Sequence, residues 1–286
     1  RNTYALASAL VVLGAATGGL DVAMNTHGVR VEVVLGRSVF ARLHALWSLG
    51  GFFGAGLGVL LQHEGVSPLR HLVLVGTVVG TAGLMVPRLL SEMPSAEAPT
   101  TRRTWSTDRT VLTLATVAVA AFVVEVAAAD WGGVFLHRVL GASSTTSAAA
   151  FAAFALPHFL VRIFGDPILD RFQTRRLMIV TLAISATGFL ALASSSAAWS
   201  AFAGLALAGA GVGLVVPVGF AAAGRVEGVP RGAGVATTAG IAYVAWAATP
   251  PLIGGVSSVI GLRAALLLAP LLAVAAAVVV ARSRNV

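Results

Sequence analysis

The chain has 286 residues, 57% of them apolar and only 10% charged, with a formal net charge of +8. A water-soluble protein of this length cannot hide that much apolar surface, so the composition excludes a soluble fold and makes lipid the solvent. Cysteine is absent, which excludes disulfides and thiolate metal sites, and the arginines are dispersed between apolar runs without a basic tract, which excludes a nucleic-acid surface.

The apolar runs are about 20 residues long and unbroken, the signature of spanning helices and not of the alternating strands of a membrane barrel. Nine spans are expected. The first three cover Thr3–Thr26, Leu43–Gln62 and His71–Pro87. A polar stretch rich in Pro, Ser, Thr and charge follows over 88–110 and reads as a linker that cannot lie in lipid. Six more spans then cover Val111–Leu136, Ser147–Phe164, Leu177–Ala193, Trp199–Ala223, Gly232–Ser257 and Arg263–Ala281. The chain therefore divides into a partial N-terminal bundle (1–87), the linker (88–110) and a C-terminal six-helix bundle (111–286). It begins at Arg1 and enters a spanning helix at once, so an N-terminal truncation is expected.

Every cationic side chain is Arg, and the arginines set the orientation. One set of loops holds Arg30, Arg37 and Arg42, then Arg88, Arg102, Arg103 and Arg109, then Arg171, Arg175 and Arg176, then Arg225 and Arg231, then Arg282 and Arg284. The opposite set holds only Arg1, Arg70, Arg138 and Arg263. The positive-inside rule puts the rich side, and with it the C-terminus, in the cytoplasm.

Asp21 and Glu125 lie inside spans. A carboxylate at the centre of a membrane helix costs about 2.5–3.5 kcal/mol, and one that is kept usually faces a water-filled cavity, where it binds a cation or carries a proton. Asn25 lies one turn after Asp21 on the same helix face. The bland alternatives are an Asp21–Arg30 pair and a Glu125 carboxyl buried against a hydroxyl or an indole. Asp130 beside Trp131 reads as an interfacial end marker. His158, following Pro157, reads as a packed residue beside a kink. Tyr243, Trp246 and Thr238, ahead of Pro250 and Pro251, either offer aromatic faces with polar edges to a small organic ligand or serve as packing, and the sequence does not choose between the two. Gly50, Gly51, Gly54, Gly56 and Gly58 read as a close-packing surface. Motifs for a zinc hydrolase, a serine hydrolase or a phosphate-binding lysine loop are absent, so an enzyme, a cofactor and a metal are not expected. A faint echo between Ala16–Asn25 and Ala210–Gly219 suggests two repeats related by an axis along the membrane normal.

The run GGLDVAMNTHGVRVEVVLGRSVFARLHALWSLGGFFGAGLG resembles the fourth and fifth helices of major facilitator superfamily transporters, in the branch of bacterial inner-membrane proteins related to the fucose permease. VEVAAADWGGVFLHRVLGAS resembles the seventh helix of that branch, and GLVVPVGFAAAGR with TPPLIGGVSSVIGLRAALLL resembles helices ten to twelve. VRIFGDPILDRFQTRRLMI resembles the second copy of the superfamily's loop signature.

The resemblance implies an all-α membrane bundle with nine of twelve helices, the first three being absent. It implies a multi-pass protein of the bacterial inner membrane whose partners are protons, a small solute and the lipid bilayer. Asp21 falls where the fucose permease has a carboxylate implicated in proton coupling. His44 falls where sugar-transporting relatives have a cavity-facing Gln, the alternative being a helix-start histidine in water. Asp21, Asn25, His44, Glu125 and Tyr243 are thus the candidate coupling and cavity residues. Arg162, Gly165, Asp166, Asp170, Arg171, Arg175 and Arg176 are a candidate charge latch that holds one face shut, with plain positive-inside anchoring as the bland alternative. Gln173 departs from the Gly that relatives favour. The leading expectation is a proton-coupled transporter of a sugar or small organic compound. The alternative is a non-transporting or fragmentary membrane protein of the same fold.

Overall fold

The computed structural model describes residues 3–90 and 105–283. All regular structure among them is helical. In chain order the helices are α1 (Thr3–Leu35), α2 (Phe40–His63), α3 (Pro68–Leu90), α4 (Arg109–Arg138), α5 (Ser144–Ile163) and α6 (Asp166–Arg171). They continue with α7 (Thr174–Ser194), α8 (Ala198–Val212), α9 (Val215–Ala223), α10 (Arg231–Ile260), α11 (Leu262–Ala265) and α12 (Leu268–Arg282). Among the described residues, seven stretches are long and apolar enough to cross a membrane: Leu69–Val86, Arg109–Arg138, Thr145–Ile163, Thr174–Ser194, Ala198–Ala223, Arg231–Ile260 and Leu262–Arg282. α1 and α2, of 33 and 24 residues, complete the long helices.

Every expected span is helical, with four differences, the first being that Arg263–Ala281 is broken at Leu266 and Leu267 into α11 and α12. α1 runs nine residues past Thr26, and in this extension Glu32 meets the start of α2 and Arg225. The segment around Asp166 forms the short helix α6, started by Pro167 at the first turn, where a missing N–H costs nothing. The run Trp199–Ala223 is broken at Gly213 and Leu214 into α8 and α9. Within the expected linker, Arg88–Leu90 continue α3 and Trp105–Asp108 have no regular structure; 91–104, with Arg102 and Arg103, lie outside the described residues. Asp108 starts α4 by accepting from the N–H groups of Thr110 and Val111 at 2.7 and 3.2 Å.

The described chain forms two compact units, Arg1–Ala45 with Arg103–Val286, and Leu46–Arg102. The second unit holds the remainder of α2 and all of α3. In the first, the core is built by α4, whose Val117, Ala118, Ala121, Val124 and Ala128 are fully buried. Small residues bring backbones together: a Cβ at Gly204 of α8 would sit 2.6 Å from the Leu192 nitrogen of α7. Of the α2 glycines expected to pack closely, Gly50 and Gly54 have no described atom within 4 Å of a Cβ placed there, and the surroundings of Gly51, Gly56 and Gly58 lie outside the described residues. Large apolar side chains such as Val244, Val259 and Leu271 stand on outer faces, as a lipid solvent requires.

Candidate functional site

Asp21 lies just past the middle of α1. Asn25, one turn on and buried at 2% exposure, donates its side-chain amide to both the Asp21 carboxylate and the Asp21 backbone carbonyl, each at 2.8 Å. The Tyr243 hydroxyl of α10 lies beside the same carboxylate. The Tyr243 ring in turn packs on Phe122 of α4 with centroids 5.5 Å apart. Among the described residues, the hydrogen-bonding neighbours of Asp21 are therefore an amide and a phenol. Arg30, the cation considered for it, is exposed.

Glu125 has a different setting. Its Oε1 accepts from Arg162 at 2.8 Å and pairs with His158 Nε2 at 3.0 Å. Both partners come from α5, one turn apart, beside the turn loosened by Pro157. Arg162 also donates through Nε to the Gly213 carbonyl at 2.9 Å, at the break between α8 and α9. His44 completes the group from α2. It is buried, with Nδ1 at 3.1 Å from the Phe40 carbonyl and its ring between Phe40 and Phe220, and it feels the charges of Arg162 and Glu125. Tyr243 is an electrostatic neighbour of both Asp21 and Glu125. His158 is thus more than packing beside a kink. Glu125 meets a guanidinium and an imidazole where a hydroxyl or an indole was considered.

A second assembly lies at the arginine-rich end. The start of α2 leaves backbone N–H groups without helical partners. Three carboxylates take them up. Asp170 accepts from Ser38 at 3.0 Å; Glu32 accepts from Val39 and Phe40, each at 2.9 Å; Asp166 accepts from Ala41 at 3.1 Å. Arg42 pairs with Asp166, and Arg225, beyond α9, pairs with Glu32. Asp166 and Glu32 are buried, whereas Asp170 is exposed. Hydrogen bonds from Ser38, with the charges of Arg225 and Arg37, hold the Asp170 carboxyl below its ordinary value. A cavity of about 580 Å³ opens beside this assembly, lined by Glu32, Asp108, Thr174, Arg225 and Glu227 among others. Neither Asp21 nor Glu125 lines it.

The expected latch residues thus separate. Asp166 and Asp170 join the assembly. Gly165 is needed there, since a Cβ would sit 2.7 Å from the Val161 carbonyl and 3.2 Å from Ala41. Arg162, expected at the latch, donates to Glu125; a buried guanidinium needs a counter-charge, and Glu125 supplies it. Arg171, Arg175 and Arg176 are exposed, and Arg175 donates to the Ala281 carbonyl near the end of α12. Gln173 precedes α7 at φ −62°, so the glycine favoured by relatives is not required by the backbone here. Trp246, 53% exposed, faces outward, and Thr238 is buried. Asp130 is exposed, and the Trp131 ring packs close to Gly254.

Glu32 and Arg225 were not singled out in the sequence. The available signal was an acid within an arginine-rich loop, a few residues ahead of the Ser38-Val39-Phe40 helix start.

Residues 110–285 match the model of the Major Facilitator Superfamily. The chain belongs to that superfamily. It is 32% identical over 269 residues to an uncharacterized MFS-type transporter of Yersinia pestis, covering 92% of this chain and 69% of that protein. It is 29% identical to an uncharacterized transporter of Sinorhizobium fredii, covering 87% of this chain and 66% of that protein, and 26% identical to the membrane protein MosC of Rhizobium meliloti, covering 93% and 65%. The chain thus spans about two thirds of the length of these relatives. Among solved structures, the fold matches the E. coli fucose:proton symporter FucP, with a TM-score of 0.66 at 14% identity over 84% of this chain and 67% of that one. A structure of FucP in the outward conformation matches at 0.67 and 15% identity, over 86% and 68%. Membership makes the chain a multi-pass membrane protein of a transporter family, with a small molecule and membrane lipid as its partners, and points away from an enzyme.

Proposed function

We propose that this superfamily member is a proton-coupled secondary transporter of a small solute, a sugar or other small organic compound, working by alternating access in the bacterial inner membrane. Asp21 carries the reading: an intramembrane carboxylate met by an amide and a phenol. Neutral donors stabilise the carboxylate but do not cancel its charge, so taking up a proton is the direct way for it to become neutral in a water-poor surrounding. The name of the FucP symporter supports the same reading by fold. Asn25, Tyr243, Glu125 and His44 are the proposed remaining cavity residues.

The nine long helical runs then correspond to nine of the family's twelve, with 1–87 as part of the N-terminal bundle, 88–110 as a cytoplasmic linker and 111–286 as the C-terminal bundle. The C-terminus is cytoplasmic. The assembly of Glu32, Asp166 and Asp170 on the start of α2 is the latch of the cytoplasmic gate, and these hydrogen bonds must break when that side opens.

The test is uptake of a panel of radiolabelled sugars and small acids into vesicles, with and without an imposed pH gradient. Accumulation of one member that depends on the gradient supports the reading. Uptake of none favours the alternative, a non-transporting protein of the same fold.

A further inference from the structure

Arg162 is buried at 2% exposure, and its guanidinium keeps its proton at any physiological pH. A cation so placed needs an anion beside it in every state of the protein. In this state the anion is Glu125, whose side chain retains 18% exposure, and whose Oε1 takes both Arg162 and His158. Arg162 is itself held from behind, because its Nε is tied to the Gly213 carbonyl. That tie keeps the guanidinium in place when its partner changes. A glutamate, unlike the guanidinium, can take a proton, and a second anion brought beside the pair favours that protonation.

We propose that Arg162 and His158 form the subsite for the carboxylate group of an anionic organic substrate, and that Glu125 is its built-in occupant. Glu125 takes one proton, lets go of Arg162, and the substrate carboxylate replaces it. The charge around Arg162 is unchanged, so one proton accompanies each anion. No covalent bond is made or broken, and the proton stays on Glu125 until the anion leaves. A neutral solute offers nothing to replace Glu125 and would leave the pair intact.

The charged and titratable groups facing this subsite are Glu125 of α4, His158 and Arg162 of α5, and His44 of α2. Tyr243 of α10 hydrogen-bonds Asp21 of α1 and is also an electrostatic neighbour of Glu125. An ionised Asp21 repels a second anion, so its protonation acts in the same direction.

This inference rests on the transporter reading, deepens its substrate class, and is tested by binding. The chain, purified in lipid nanodiscs, is titrated with lactate and benzoate and with their neutral amides, lactamide and benzamide, from pH 5.5 to 8. The readout is thermal shift and intrinsic tryptophan fluorescence. Carboxylates are expected to bind and amides not to. Affinity should rise about tenfold per unit fall in pH where Glu125 is ionised. Glu125→Gln, with no charge to displace, should bind carboxylates with a flattened pH slope. Arg162→Gln should abolish the response. The doubly neutral Glu125→Gln, Arg162→Gln protein leaves no buried charge unpaired and should fold without binding. Equal response to the amides, carboxylate binding that survives in the double variant, or no response in either wild type or Glu125→Gln overturns the proposal. Failure of carboxylates while pH-driven uptake of a neutral sugar proceeds in vesicles removes this inference and leaves the transporter reading standing. Carboxylate binding without any uptake does the reverse.

Discussion

At the arginine-rich end, Glu32, Asp166 and Asp170 each commit one oxygen to backbone N–H groups at one helix start, and Arg42 and Arg225 take the second oxygen of Asp166 and Glu32. Inside the apolar region, the carboxylates of Asp21 and Glu125 meet only side chains. The difference follows from helix geometry: a helix start exposes backbone donors and a helix middle exposes none. A carboxylate fixed by N–H groups is favoured in its charged form and serves as structure. One met by side chains changes partners when those side chains move or when it takes a proton. The end of the molecule thus holds acids suited to fastening, and the interior holds acids suited to exchange.

The largest expected effect sharpens the interior half of this contrast. Arg162→Gln strands Glu125 without its cation and should cost about 3–5 kcal/mol, measured as loss of thermal stability in nanodiscs. Adding Glu125→Gln should restore most of it. Equal losses in the single and double variants would mean that Arg162 acts through packing and not through charge.

Asp21→Asn is the next test, and it separates coupling from folding. It should abolish uphill accumulation driven by a pH gradient while sparing exchange and downhill flux, because the amide mimics the protonated acid and still offers hydrogen bonds. A variant that still concentrates substrate would make Asp21 structural and pass the proton role to Glu125.

The fastening acids should show a smaller and graded response. Asp166→Asn weakens a buried acceptor of Ala41 and Arg42 and should cost about 1–3 kcal/mol. Asp170→Asn touches an exposed group and should cost less. Charge reversal at Asp166 should slow transport and leave membrane insertion intact; unchanged transport rates would count against a gate.

The smallest effect is the pH dependence of the Asp170 contact. Hydrogen bonds from Ser38 lower its folded value, so the contact contributes fully above the ordinary carboxylate value of about 3.9 and is lost only as pH falls through the lower folded value. Protection of the Ser38 amide from hydrogen exchange should therefore be flat from neutral pH down to mild acid, after correction for intrinsic rates. A step near neutral pH would place a different titrating group at this end.

The helices were legible because lipid demands long apolar runs, and that demand is written locally. Asp21 and Asn25 were legible as a pair because four residues make one helical turn. Asp166 and Asp170 were legible because the loop signature is contiguous. The Glu32–Arg225 pair was not, since its members are 193 residues apart and each alone looks like an ordinary loop charge. The break at Gly213 was hidden too, as its residues are as apolar as the rest of the run.

The sequence by itself determined what must be buried in lipid and which charges are expensive there, because both are properties of a residue and its near neighbours along one helix. Only the tertiary structure decided which charge answers which. It set Arg162 on Glu125, gave Arg42 to Asp166, and left Asp21 to an amide and a phenol. Those choices depend on which faces of separate helices are pressed together, and the spacing within a single helix carries no information about its neighbour.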